Sequence, residues 1–163
     1  MTSWTGRVTS LVLLLLLPLV AGSQELTGRV VRVIDGDTLV LLDESNIQHE
    51  VRLAGIDCPE RKQPWSIRAK DALADHVFSD PVVVDWDKSD RYKRIVGKVI
   101  HGNRDVNLAL VRDGMCWWYR KYAHEQSPVD RVLYEDAEGE ARKQRRGLWS
   151  DREPVPPWEW RRK

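Results

Sequence analysis

Hydrophobic and polar positions alternate with a period of two in GRVVRVI at 28–34 and in TLVLL at 38–42. That period predicts two half-buried strands, with Asp35-Gly36-Asp37 as the tight turn between them. A third strand is expected over 47–54, IQHEVRLA. Over 65–78 the period changes: Ala69, Ala72, Leu73 and Val77 recur at helical spacing and predict a helix with one apolar stripe. PVVVDWD at 81–87 and RIVGKVIH at 94–101 return to strand character on either side of the charged turn KSDRYK. A short helix is expected over 106–113, with Asp105 as its cap and Gly114 as its stop. Residues 116–119 read as a short extended piece. The last helix is punctuated by Ser127 as cap, Pro128 at its first position and Asp130 at capping-box spacing. Its expected buried stripe is Val129, Val132, Leu133, Ala137 and Ala141, and Gly147 ends it. Three strands, a helix, two strands and two helices predict an α+β fold: a five-stranded Greek-key barrel of the OB type with three helices.

Composition changes this picture at the ends. The chain has 163 residues, enough for one domain with a modest core. Residues 1–23 carry Arg7, the apolar run LVLLLLLPLV and then Ala21, Gly22 and Ser23. This is the pattern of a cleaved signal peptide, and it implies export to the periplasm or the medium. The rival reading is an uncleaved membrane anchor, for which the apolar run is short, a span needing roughly 20 residues. Residues 151–163, DREPVPPWEWRRK, read as a proline-broken, tryptophan-rich tail without a regular period.

The whole chain holds 26 Lys+Arg against 25 Asp+Glu. Arg7 is the one charged side chain before residue 24, so the remainder is formally neutral and gives no global sign of a polyanionic partner. Two cysteines, Cys58 and Cys116, are too few for a disulfide scaffold or a cysteine-built zinc site.

Three local clusters carry candidate chemistry. Asp35-Gly36-Asp37-Thr38 has the composition of a plain hairpin turn, yet holds two carboxylates beside one glycine. In Arg52-Leu53-Ala54-Gly55-Ile56-Asp57-Cys58-Pro59-Glu60, an arginine on a strand precedes two carboxylates just past the strand end. That set suits a hard-cation site with an anion clamp beside it, or equally a solvated loop with a surface ion pair. Asp90-Arg91-Tyr92-Lys93-Arg94 reads as a solvated turn or as a phosphate-binding segment with an aromatic face.

Taken together, IDGDT at 34–38, RLAGIDCPE at 52–60, DRYKR at 90–94, VNLALVRDGM at 106–115 and RRGLWS at 145–150 resemble the staphylococcal nuclease (thermonuclease) family. The resemblance runs from about Leu26 to Ser150, so the domain is placed over 26–150. It implies an endonuclease that hydrolyses DNA or RNA with the help of one calcium ion and leaves 3′ phosphates. Asp37 and Asp57 match the carboxylate ligands of that ion, and the backbone carbonyl of Cys58 matches a third ligand. Glu60 matches the general base, and Arg52 and Arg94 match the two arginines that grip the scissile phosphate. Arg91 and Tyr92 match a basic-aromatic pair for a neighbouring phosphate, and Tyr122 matches a tyrosine lining the substrate pocket. Where the family prototype has a further tyrosine under the base, this sequence has Arg120. In the family fold the segments of Cys58 and Cys116 run side by side, so a disulfide between them is expected; the other reading is two buried thiols.

Two other function classes use parts of the same sequence. One is a nucleic-acid-binding barrel that does not cut, and the other is a calcium-stabilised structural domain. All five key positions (Asp37, Arg52, Asp57, Glu60 and Arg94) carry the residues that catalysis requires, which favours the enzyme. The expected partner is the nucleic-acid substrate, with the protein a monomer free of the membrane after leader cleavage.

Overall fold

The computed structural model describes residues 23–78 and 81–162. Apart from Ser23, the expected leader lies outside the described residues.

The first strand, β1 (Gln24–Asp35), serves two partners. Its residues 24–28 pair antiparallel with β5 (Val82–Ser89), and residues 28–35 pair antiparallel with β2 (Thr38–Asp43). β2 pairs with β3 (Gln48–Leu53), and β5 pairs with β6 (Ile95–His101). A short parallel ladder between Val51–Leu53 and Ile95–Gly97 joins β3 to β6. The circuit β1-β2-β3-β6-β5-β1 closes the expected OB-type barrel. Register shifts between Val30 and Arg32, and again between Val33 and Asp35, give β1 the bend that closure of a small barrel demands.

The alternation seen in the sequence fills the interior. Leu39, Leu41, Val51, Val82, Val84 and Val99 are fully buried. A two-residue ladder joins β4 (Ile56–Asp57) to β8 (Trp117–Trp118), and β7 (Arg104–Asp105) extends the sheet beside β6. Helix α1 (Ser66–Val77) buries Ala69, Leu73 and Val77 in the same core. Helix α2 (Val106–Arg112) starts at Asp105, whose Oδ1 accepts from Leu108 N at 2.9 Å, and is followed by Gly114 at φ 69°. A side chain at Gly114 would also strike the Arg146 carbonyl, so the turn needs glycine on both counts.

Helix α3 (Pro128–Lys143) is capped by Ser127 as the sequence predicts, but it presents a different face. Its buried residues are Tyr134, Ala137, Glu138 and Ala141, whereas Val129, Val132 and Leu133 are 67%, 58% and 43% exposed. Polar anchors set the rotation. The Tyr134 hydroxyl donates to Asp105 at 3.0 Å, and Glu138 accepts from Trp118 N at 3.1 Å. These bonds outweigh the apolar positions nearest the helix start, which stay at the surface.

The tail also departs from the reading. It forms one helical turn, α4 (Pro157–Trp160), docked on the barrel. Trp158 stacks on Tyr119, with ring centroids 5.4 Å apart and planes 7° apart, and meets Trp117 edge-on. Pro157 is buried, and Gln63 Nε2 donates to the Val155 carbonyl at 2.7 Å.

Candidate active site

Three structural features bring the charged clusters into one open cleft of about 810 Å³: the β1–β2 turn, the segment after β3 and the β5–β6 turn. Asp37, Arg52, Asp57, Cys58, Glu60, Arg91, Tyr92, Arg94 and Tyr122 all line it.

At its floor lie two buried carboxylates, Asp37 and Asp57, 7% and 1% exposed. Asp37 sits at the β1–β2 turn because Gly36 lets that turn press against the neighbouring chain. A methyl group at Gly36 would lie 2.8 Å from Cβ of both Ala69 and Cys58. The close approach allows Asp37 Oδ2 to accept from Cys58 N at 2.8 Å, across 21 residues of sequence. Burial pushes the Asp37 carboxyl up to about 7; the Arg52 charge opposes the shift, and Asp35 and Asp57 add to it.

Arg52 lies between the two acids. Its Nη2 is 3.1 Å from Asp37 Oδ2 and 3.2 Å from Asp57 Oδ1. Its guanidinium also donates to the carbonyls of Leu53 at 2.6 Å and Ile56 at 3.0 Å, which holds the loop around the group it presents. Asn107, buried at the start of α2, ties the same loop to the barrel. Its Nδ2 donates to the carbonyls of Ala54 and Gly97 at 3.0 and 3.1 Å, and its Oδ1 accepts from Val99 N at 3.1 Å.

On the opposite wall, Asp90 organises the turn that carries Arg94. Asp90 Oδ1 accepts from the backbone N–H groups of Tyr92 and Arg94, and Oδ2 accepts from Arg94 Nε at 2.8 Å. Desolvation works against ionised Asp90, but the hydrogen bonds from Arg94 and Tyr92 prevail and hold its carboxyl below the ordinary value. Tyr92 is 64% exposed, and the guanidinium of Arg91 lies over its ring at 4.8 Å. Tyr122 stands further along the cleft, with Lys88 and Lys121 over its ring at 5.8 and 5.6 Å.

Arg120 is not among the residues lining the cleft. Its Nη1 is paired with Glu138 at 2.7 Å, and its guanidinium lies over Trp118 at 4.4 Å. A carboxylate buried in α3 needs a cation, and Arg120 supplies it. Tyr119 and Lys121, its neighbours in sequence, face the cleft instead. Cys58 and Cys116 are bonded to each other, with Cα atoms 4.2 Å apart, so the residue after Asp57 is tied to the residue before β8.

Sequence reasoning assigned no role to Arg161, which reaches the floor from the tail. Its Nη2 donates to Asp57 Oδ2 at 2.7 Å, and its Nη1 donates to Asp57 Oδ1 at 3.2 Å and to Glu60 Oε1. The sequence signal for this contact is the pair of tryptophans, Trp158 and Trp160, in the thirteen-residue tail, since large aromatics are rarely left in solvent.

Among the described residues, no three His, Cys, Asp or Glu side chains form a ready-made metal cage. The donor set of Asp37, Asp57 and nearby carbonyl oxygens is all oxygen, with two carboxylates in it, and the guanidiniums of Arg52 and Arg161 already rest on Asp57. This fits a hard cation that completes its shell with water and phosphate oxygens.

A family model described as staphylococcal nuclease homologue matches residues 50–151. An uncharacterized endonuclease of Escherichia coli is 44% identical over 138 residues, covering 84% of this chain and 86% of the relative. The protein named ParB from Escherichia coli is 45% identical over 148 residues, with 85% and 80% covered. A micrococcal nuclease of Shigella flexneri is 43% identical over 145 residues, with 83% and 80% covered.

Proposed function

The chain belongs to the staphylococcal nuclease family and is a phosphodiester hydrolase of nucleic acids; from that premise we propose that it is an exported, monomeric, calcium-dependent endonuclease that cuts DNA or RNA and releases 3′-phosphate products. The observation that carries this reading is the convergence of Asp37, Arg52, Asp57, Glu60 and Arg94 on one cleft from three separate parts of the chain. A barrel that only held nucleic acid would have no use for two buried acids beneath the arginines.

Asp37, Asp57 and the carbonyl of Cys58 would hold calcium, which when bound supplies Lewis-acid stabilisation of the phosphate's charge. Glu60, on the cleft wall, orients a water molecule and takes its proton. Arg52 and Arg94 donate to the phosphoryl oxygens as negative charge builds on them. Arg91, Tyr92 and Tyr122 line the path of the flanking nucleotides and position the strand.

Plasmid nicking with calcium, with and without a chelator, tests the reading. The wild type is expected to nick and relax supercoiled DNA only when calcium is present. Asp37→Ala and Asp57→Ala should each lose most of that activity while keeping a wild-type circular dichroism spectrum. Cleavage that survives the chelator, or survives in both variants, would remove calcium and these two ligands from the mechanism.

A further inference from the structure

The tail is held to the barrel at four places that do not involve Arg161. Trp65 Nε1 donates to Asp151 at 2.9 Å, Gln63 holds Val155, Pro157 is buried, and Trp158 stacks on Tyr119. Gln63 Oε1 also accepts from Glu60 N at 2.9 Å, so one side chain ties the tail to the loop of the proposed base. Arg161 stands just past this anchor. Its side chain is 41% exposed, against 2% for that of Asp57. Of the two partners, only the arginine can leave for solvent.

The contacts on Asp57 leave little room for a further cation. Oδ1 takes Arg52 Nη2 and Arg161 Nη1, and Oδ2 takes Arg161 Nη2. A carboxylate offers about four lone-pair sites, so most are in use. A divalent ion at Asp57 would also face the guanidinium at close range, where like charges repel strongly in a partly buried site. Glu60 is engaged by the same guanidinium, which opposes its acting as a base.

We propose that Arg161 is the resident counter-cation of the site: it neutralises Asp57 and Glu60 in the metal-free protein, and a divalent cation binding at Asp57 displaces it and so frees Glu60. The tail stays docked through Trp158 while its guanidinium swings into the cleft mouth. Arg161 thereby sets the metal concentration at which the enzyme switches on. The inference rests on the calcium reading above.

Isothermal titration of the metal-free protein with calcium chloride tests it without reference to cleavage. Because calcium and Arg161 compete for the same carboxylate, Arg161→Ala should tighten calcium binding by roughly tenfold, toward the lower end of usual site-to-site couplings because the arginine is partly exposed. Arg161→Lys keeps the charge but loses the fork and should fall between the wild type and Arg161→Ala. Arg162→Ala removes a like charge from the same tail and should change the affinity less than about twofold, as expected for a surface charge. In chelator, Arg161→Ala should melt below the wild type, and saturating calcium should narrow the gap. Calcium affinity that is unchanged or weaker in Arg161→Ala and Arg161→Lys overturns the proposal and makes Arg161 a residue that helps build the site. If the wild type binds no calcium at millimolar concentration, the metal reading fails first and the proposal falls with it. The wild-type titration therefore separates the two failures.

Discussion

Arg52 shows how much a single side chain is asked to do. One guanidinium touches two buried acids and two loop carbonyls, and in the proposed mechanism it also faces the phosphate. A lysine at this position would keep the charge but could not make the forked set of contacts. Arg52→Lys is expected to lower kcat by roughly 10²- to 10³-fold with little change in KM, the mark of a donor that acts in the transition state. Steady-state kinetics on a short oligonucleotide check this. A change confined to KM would mean that the arginine only binds substrate. Asp37 is the opposite case: burial pushes its carboxyl up, and the Arg52 charge beside it works against that shift.

At the scale of elements, two links between distant segments hold the cleft in shape. The Cys58–Cys116 bond spans 58 residues and ties the proposed metal loop to the chain entering β8. In the loop-closure account such a bridge contributes about 4 kcal/mol by restricting the unfolded chain. Reduction should therefore lower the melting temperature. If the bridge also steadies the Cys58 carbonyl, reduction should weaken calcium binding in the same sample. Unchanged calcium affinity after reduction would leave the bond a purely stabilising role. The second link is Glu138, buried in α3, which accepts from Trp118 N and pairs with Arg120 and Arg142. Glu138→Ala would leave the buried Trp118 amide without its acceptor and is expected to cost about 2 kcal/mol of stability, the usual penalty for an orphaned buried group. Urea denaturation measures it, and a loss below about 0.5 kcal/mol would show that water replaces the carboxylate.

The whole molecule is electrically balanced, with 25 basic and 25 acidic side chains beyond residue 23. The cleft is balanced too: Arg52, Lys88, Arg91, Arg94, Lys121 and Arg161 line it together with Asp35, Asp37, Asp57, Glu60, Asp90 and Glu125. Few phosphate contacts release few counterions, so affinity for a single strand should depend only weakly on salt. Binding measured against salt concentration with the Glu60→Gln variant is expected to give a shallow slope. A slope equivalent to about eight or more neutralised phosphates would point to an extended basic surface outside the cleft. The docked tail belongs to this scale as well, because it brings Arg161 to the floor of the same cleft.

The sequence alone determined the barrel, because a period of two in 28–34 and 38–42 and a helical period in 65–78 are local consequences of which face is buried. It also marked the acids and arginines of the cleft, since IDGDT, RLAGIDCPE and DRYKR carry them in short stretches whose order resembles one family. What local pattern does not contain is the partner of a side chain far away in sequence. The face of α3 was decided by Tyr134 and Glu138 finding Asp105 and Trp118, so Val129 and Val132 lie outside despite being apolar. Arg120 turned to Glu138 for the same reason. The tail had no period to read, and only when Tyr119 offered its ring to Trp158 did Arg161 come within reach of Asp57, 104 residues earlier in the chain. Burial periodicity is written along the chain, whereas the pairing of buried charges is settled only when distant segments meet.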